Sequence, residues 1–315
     1  MPSKIDSIPT KTCRVIISMN PKSGAESGLK VVEQLKSVLI RQGMSVDVLT
    51  DIDEVRKSVE ISSSAGDLRA VVAAGGDGTV SLLVNQLPTL TPIAILPLGT
   101  ENLLAKYLGA TADPTKTAEI ILSGKTVRLD AGRANGKRFL VMASCGFDAE
   151  VVKRLHAGRT GHIRHWSYAD PIIKTILNYQ YPRLKIRMEG NLAGTDPIEA
   201  RWAFVFNVPR YAMNLPILSD ADPCDGQLDL CTFQQGSLLR GLYYLMSIMI
   251  QRHRNLHEAQ FCKFEEIIIE PEDTETSVPF QVDGDPGGVL PLKIRVEPNC
   301  VRVLVSEAWI AQNGI

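Results

Sequence analysis

The chain has 315 residues, 34 Lys and Arg against 35 Asp and Glu, a formal net charge of −1, and 44% hydrophobic residues. A chain of this size buries roughly three quarters of the surface its unfolded form exposes, which excludes disorder and favours two cores over one. The balanced charge excludes a nucleic-acid coat, because binding to phosphate backbones needs an excess of cations on one face.

From Cys13 onward, apolar runs alternate with helical periodicity. CRVIISMN reads as a buried strand, and residues 29–41 place Val31, Val32, Leu35, Val38 and Leu39 on one helical face. SVDVLT is a second strand, residues 53–62 a helix and LRAVVAAGG a third strand. GTVSLLVNQL then reads as a helix, PIAILPLG as a fourth strand and ENLLAKYLG as a further helix. Such units require a parallel sheet with right-handed crossovers, so residues 1–130 are expected to form a doubly wound α/β domain. Beyond Asp130 the pattern changes to an Asn135-Gly136 hairpin signal, the strand KRFLVMASCG, and the runs LKIRME, RWAFVFNV, QLDLCTF, FEEIIIE and LKIRVE. Residues 131–299 are therefore expected to be β-rich, with one helix near 237–252 whose Met246 and Met249 read as packing residues. The last strand, VRVLVS, suits either domain, and a return of residues 300–315 to the first is compatible with it.

Targeting and redox signals are sparse. Six cysteines are dispersed without a CxxC pair, which fits reduced thiols in a cytoplasmic chain better than a zinc site or a disulfide scaffold. The N-terminus shows no apolar run of signal-peptide length, and the stretch 238–250, interrupted by Arg240, falls short of the roughly 20 residues a bilayer crossing needs. His156, His162 and His165 lie with Arg154, Arg159, Arg164, Trp166 and Tyr168 in a segment that reads equally as a solvated face or a lipid-headgroup contact.

The chemistry-bearing segments are three turns at the carboxyl ends of strands, where an open parallel sheet binds ligands. They are Asn20-Pro21-Lys22-Ser23-Gly24, Gly75-Gly76-Asp77-Gly78-Thr79, and the turn from Pro97 through Gly99, Thr100 and Glu101 to Asn102. Together they point to a nucleotide-sized polyanion site in which glycines admit close backbone approach. None is a Walker A loop or a GxGxxG fingerprint. Lys22 is the one cation within them, so phosphate charge must be met mainly by Mg²⁺ and helix dipoles. Asp77 would repel a phosphate directly; it suits water-mediated Mg²⁺ coordination, or capping of the helix that follows, or both.

NPKSG, GGDGTV, PLGTENLLA, DAGRANGKRFLVMASCGFDAEV, the run from Asp225-Gly226 to Asp229, and Asp283-Gly284-Asp285 occur in an order that resembles the diacylglycerol kinase catalytic-domain family along nearly the whole chain. The resemblance implies an N-terminal α/β nucleotide domain and a C-terminal β-sandwich-like domain with an ATP cleft between them. It assigns the ATP phosphates to Asn20, Pro21, Lys22, Ser23 and Gly24 and to Gly75, Gly76, Asp77, Gly78, Thr79 and Val80. Thr50 and Thr100 are further nucleotide contacts, and Asn102 shapes its turn. Asp130 matches an acid near the active-site Mg²⁺, and Asp283 and Asp285 match the acidic pair that includes the general base. Asp283-Gly284 taken alone also reads as a hairpin turn. A structural Mg²⁺ is implied at Asp225, with backbone oxygens of Asp222 and Gln227; the same residues read equally as an Asp-Gly turn between strands.

The activity implied is ATP- and Mg²⁺-dependent phosphorylation of a lipid hydroxyl, such as that of diacylglycerol, by a cytoplasmic protein in transient peripheral contact with the membrane. A homodimer is compatible with the sequence. The chain departs from the family pattern at Leu82 and Leu103, where carboxylates are common, and at Asp285, which is one methylene shorter than the usual Glu. Two alternatives stay open: a noncatalytic lipid- or nucleotide-binding protein of the same fold, and a kinase of a soluble substrate such as NAD.

Overall fold

A computed structural model of the chain describes residues 5–19, 26–157, 179–190, 193–211, 215 and 217–313. It divides into two compact units, Met1–Leu129 with Asn299–Ile315, and Asp130–Pro298.

The first unit begins with β1 (Ile5–Ser7), β2 (Arg14–Met19), α1 (Glu26–Arg41), β3 (Ser45–Leu49) and α2 (Ile52–Ala65). It continues through β4 (Leu68–Gly75), α3 (Asp77–Gln86), β5 (Ile93–Pro97), α4 (Leu103–Tyr107), α5 (Pro114–Ser123) and the start of β6 (Lys125–Ala134). Helix boundaries follow local chemistry. The Asp51 carboxylate accepts from the N–H groups of Asp53 and Glu54 to open α2, and Gly66 at φ 70° closes it. Asp113 caps α5 in the same way, with Pro114 in its first turn and Gly124 at φ 65° past its end.

Strands β3, β2, β4 and β5 lie side by side in that order, all parallel. The chain order thus reverses between β2 and β4, and in a doubly wound sheet that switch point is where the carboxyl ends of the strands leave a crevice for a ligand. In the sequence NPKSG follows β2, and the GGDG turn follows β4. All eight residues of β4 are buried, as expected of a strand covered on both faces. At the amino end of β4, the side chain of Arg69 is almost wholly buried and donates to the carbonyls of Ile121 (2.8 Å), Pro9 (3.1 Å), Ile8 (3.3 Å) and Leu122 (2.5 Å), tying the end of α5 to the N-terminal segment.

The second unit takes up the end of β6 and contains β7 (Lys137–Phe139), β8 (Met142–Gly146), α6 (Phe147–Ala157), β9 (Leu184–Met188), β10 (Ile198–Ala200) and β11 (Trp202–Phe206). It continues through β12 (Leu228–Phe233), α7 (Leu238–Met249), β13 (Ala259–Phe264), β14 (Glu266–Pro271), β15 (Pro279–Val282), β16 (Asp285–Val289) and the first part of β17 (Leu292–Leu304). One antiparallel sheet has the order β13, β12, β11, β8, β15, β16, and a second runs β10, β9, β14, β17. Their apolar faces share one core: Ala143, Val205 and Leu230 of the first sheet belong to the same cluster as Ile186, Ile267 and Ile294 of the second. This is a β-sandwich. Asn135 (φ 44°) and Gly136 (φ 93°) form the two-residue turn between β6 and β7, both in the left-handed region that an Asn-Gly pair tolerates.

Three expectations change. KRFLVMASCG is two strands, because the chain changes partners between them: β7 pairs with β6 and β8 with β11 and β15, while the N–H groups of Leu140 and Val141 between them donate to a carboxylate described below. LKIRVE and VRVLVS are joined in one strand: Leu292, Lys293, Ile294 and Arg295 pair antiparallel with β14, while Val303 pairs parallel with Ile93 of β5 in the first unit, to which residues 299–315 belong. Met246 and Met249 do not pack inward; they are 56% and 58% exposed, because α7 buries its opposite face. The last described element is α8 (Glu307–Asn313), where Trp309 donates from its indole to the carbonyl of Tyr107, holding the end of α4.

Candidate active site

In the first unit, two of the three glycine turns are in direct backbone contact. A Cβ placed on Gly99 would stand 2.5 Å from the Cα of Gly76, and Gly76 faces Gly99 in return, so the ends of β4 and β5 approach as only glycines permit. The Leu98 N–H donates to the carbonyl of Gly75 at 2.9 Å. Asn102, at φ 50°, closes its own turn: its amide donates to the carbonyl of Gly99 (2.7 Å) and its Oδ1 accepts from the Gly99 N–H (3.1 Å).

The residue that opens α3, Gly76, supplies no capping side chain, so the first turn of this ten-residue helix presents amides that no side chain of its own satisfies. Gly78 is exposed there, with open space around it. Thr79 and Val80 are buried, Val80 within the core, and their N–H groups donate to the Gly76 carbonyl (2.9 and 3.3 Å), so the amides left to meet a phosphate are those of Asp77 and Gly78. Thr50 and Thr100 are exposed, at the carboxyl ends of β3 and β5 on the same edge of the sheet. Asn20, Pro21, Lys22, Ser23 and Gly24 lie outside the described residues, as do His162, His165, Arg159, Arg164, Trp166 and Tyr168.

Asp77 does not cap the helix that it begins. Its carboxylate oxygens accept from the N–H groups of Leu103 (2.8 Å) and Leu104 (3.1 Å), so it caps α4 and staples the second glycine turn to the third. Burial pushes its pKa up, the two backbone hydrogen bonds oppose this, and the neighbouring Glu101 charge adds to the rise. Leu103, which replaces a common carboxylate, thus contributes through its N–H. Asp77 and Glu101 together are hard oxygen donors whose repulsion the Lys106 ammonium, 3.9 Å from Glu101, offsets in part, and that donor set is compatible with Mg²⁺. Among the described residues no group of three or more His, Cys, Asp or Glu side chains gathers for a metal, so phosphate oxygens and water would have to complete such a shell.

The second unit holds the remaining acids. Asp283 (φ 50°) and Gly284 (φ 81°) form the tight turn between β15 and β16, as an Asp-Gly pair can. That turn also does chemical work. The Asp283 carboxylate accepts from the N–H groups of Leu140 (3.0 Å), Val141 (2.9 Å) and Met142 (3.1 Å), which orients the acid. Asp285 is half exposed, with His156 Nε2 at 3.3 Å and Lys137 Nζ at 3.9 Å.

Behind the turn lies a buried network that sequence reasoning missed. Gln281 accepts from the Gly284 N–H (2.8 Å) and donates to Ser144 Oγ (2.9 Å) and Asp148 Oδ2 (3.2 Å), while Ser144 and Tyr211 donate their hydroxyls to Asp148. Burial pushes the Asp148 carboxyl up, against these hydrogen bonds. The available signal was the apolar setting of Asp148 within GFDAEV, four residues after Ser144 on the chain.

Asp130 is fully buried and accepts from the Gly226 N–H (2.7 Å), while its own N–H donates to the carbonyl of Pro223 (2.6 Å). It therefore anchors the loop expected to hold a structural Mg²⁺. In that loop Asp222 accepts from the Cys224 N–H, Asp225 accepts from the Gln227 N–H (2.9 Å), and the Lys263 ammonium is ion-paired with Asp225 and lies 3.8 Å from Asp229. Burial raises Asp229 to about 6. The Asp225 carboxylate is thus paired with an ammonium, and a cation there would have to share it with Lys263.

Two family profiles together span most of the chain. The profile described as the diacylglycerol kinase catalytic domain matches residues 14–134, and that of the YegS C-terminal NAD kinase beta sandwich-like domain matches residues 141–305. The chain is 30% identical over 302 residues to a diacylglycerol kinase of Mycobacterium tuberculosis, covering 92% of this chain and 94% of that one. It is 23% identical to a diacylglycerol kinase of Bacillus subtilis, covering 88% and 91%. Among solved structures, a putative diacylglycerol kinase of Bacillus anthracis superposes with a TM-score of 0.69 at 20% identity over 98% of this chain and 99% of that one, a likeness of fold.

Proposed function

Because the chain belongs to the diacylglycerol kinase catalytic-domain family, we propose that it is an ATP- and Mg²⁺-dependent lipid kinase that transfers the γ-phosphoryl group to a hydroxyl of a lipid such as diacylglycerol. The observation that carries this reading is the backbone contact between Gly76 and Gly99 at the sheet edge beside the switch point, with the uncapped start of α3 facing outward. Amides there hold phosphate oxygens, and Asn102 keeps the Gly99 turn in place.

Asp77 and Glu101 are the residues that would hold Mg²⁺, which when bound neutralises phosphate charge and polarises the γ-phosphoryl group. Asp283, oriented by three backbone amides, accepts the proton of the lipid hydroxyl as its oxygen bonds to the γ-phosphorus and the bond to the β-phosphate oxygen breaks, releasing ADP. Asp285 and His156 line the approach to that acid. Contact with the membrane is peripheral in this reading, since no helix among the described residues is long and apolar enough to cross one. A cytoplasmic location accompanies it.

The test is ATP consumption against micelles of diacylglycerol, sphingoid base, ceramide and phosphatidylglycerol, with and without Mg²⁺. Phosphorylation of at least one lipid is expected; a folded protein that binds ATP and phosphorylates none defeats the reading. The departures at Leu82 and Leu103 favour a noncatalytic lipid-binding protein as the second reading, which predicts lipid binding independent of ATP and metal.

A further inference from the structure

Helix α7 of the β-rich unit has two unlike faces. Gly241, Tyr244, Ser247 and Ile248 are buried, with the Tyr244 hydroxyl donating to Glu258 at 2.6 Å. On the other side Leu239, Leu242, Tyr243, Met246, Met249 and the adjoining Ile250 are all exposed, Leu239 to 77%. At about 100° per residue these six side chains fall within an arc of about 120°, a continuous apolar stripe. Isolated exposed apolar residues are ordinary, but a contiguous stripe marks a surface that meets something apolar.

The charges around it say what that is. The helix LLRGLYYLMSIM contains no acid, and its flank and the turn beyond it carry Arg240, Arg252, Arg254 and His257. Arg240 is paired with Glu258 and Arg254 with Asp220, whereas Arg252 is exposed and has no ion pair among the described residues. A second copy of the same face would set Arg252 in a self-pairing interface without a counter-charge of its own. An anionic bilayer instead offers acyl chains to the stripe and a phosphate to Arg252. Twelve helical residues span about 18 Å, well short of the roughly 30 Å hydrocarbon core, so the helix can lie along the interface and cannot cross it.

We propose that α7 is the membrane-docking element of this protein, lying in the plane of an anionic lipid surface with its stripe among the acyl chains and Arg252 at the headgroups. This rests on the lipid-kinase reading for its purpose, since a lipid acceptor has to be met at an interface.

The experiment is flotation of the full chain with vesicles of phosphatidylcholine alone and of phosphatidylcholine with phosphatidylglycerol, at low and high salt. It is paired with phosphorylation of a vesicle-borne acceptor and of a short-chain acceptor in solution. Leu242→Gln with Met246→Gln should lower vesicle partitioning and vesicle-borne turnover about tenfold or more, with the thermal midpoint and the short-chain rate unchanged. Arg252→Glu should weaken binding only to the anionic vesicles, and less at high salt. Unchanged flotation of the double variant overturns the proposal. So does a drop in its thermal midpoint, which would assign the face to packing within the chain, and so does conversion of a wild-type dimer to monomer without loss of flotation, which would assign it to a second copy. Wild-type protein that floats through α7 yet phosphorylates no acceptor supports docking and defeats the kinase reading instead.

Discussion

Replacing Gly99 by alanine tests whether contact between the two turns builds the nucleotide edge. The new Cβ would stand 2.5 Å from the Cα of Gly76, 2.8 Å from Asn102 Oδ1 and 3.1 Å from the Gly76 nitrogen, where ordinary contact begins near 3.4 Å. Two of these three obstacles are backbone, so the turns have to part by about 1 Å, and overpacking of this kind costs about 1–3 kcal/mol. For a unit of this size the thermal midpoint should fall by about 3–9 °C. If the strain is relieved by opening the site, ATP affinity measured by titration calorimetry should weaken by about 5- to 150-fold. Gly78→Ala is the matched control. Its Cβ meets nothing within 4 Å, and alanine suits a helix start better by up to about 1 kcal/mol, so the midpoint should hold or rise. Its ATP affinity should nonetheless fall, because the added methyl stands where a phosphate approaches α3. A Gly99→Ala protein with wild-type midpoint and affinity would refute the role of the contact, and a Gly78→Ala protein with full affinity would remove α3 as the phosphate cradle.

Three further perturbations follow from the geometry. Asp283→Asn turns an amide toward three backbone donors and removes the proton acceptor; turnover should drop about a hundredfold or more, the midpoint should fall, and ATP affinity should stay within about threefold, while wild-type turnover would remove Asp283 as base. For Glu297, burial alone would raise the carboxyl, but hydrogen bonds and charge from Arg133 and Arg138 bring it down from its ordinary 4.5 to about 2. Since the folded value lies below the unfolded one, these pairs stabilise fully at neutral pH, and the stabilisation is lost as pH falls from about 4.5 toward about 2. Glu297→Gln should therefore cost about 1–3 kcal/mol in denaturant titrations at neutral pH and nothing near pH 2; a difference independent of pH would contradict the assignment. Arg69→Met leaves the buried carbonyls of Ile121 and Ile8 and the part-buried ones of Pro9 and Leu122 without their donor and should cost about 2–4 kcal/mol by chemical denaturation, whereas a loss below about 1 kcal/mol would show that water replaces the guanidinium.

Much of the fold and part of the candidate site could be read along the chain, because both depend on short-range pattern. The alternation from CRVIISMN to PIAILPLG requires a parallel sheet, since strands of that composition need helices on both faces. The positions of GGDGT and PLGTEN after strands place them at its carboxyl edge whatever the rest of the chain does. Asn135-Gly136 and Asp283-Gly284 state their own turns, because few other pairs tolerate two successive positive φ angles. What the chain order could not disclose are contacts between residues far apart. Asp77 looked like the cap of its own helix and instead caps α4, 26 residues on, because strand pairing brings the two turns together. Asp283 reads as a turn residue until the fold sets its carboxylate against the amides of residues 140–142, at the break in a strand that looks continuous in sequence. Lys263 meets Asp225 only through the pairing of β12 with β13. The helical period of α7 likewise fixes which side chains share a face and is silent on which face is turned to solvent. That choice is made by burial of Tyr244 and Ile248 against the sandwich, so the stripe of Leu239, Leu242, Met246 and Met249 became a surface only when the tertiary structure closed.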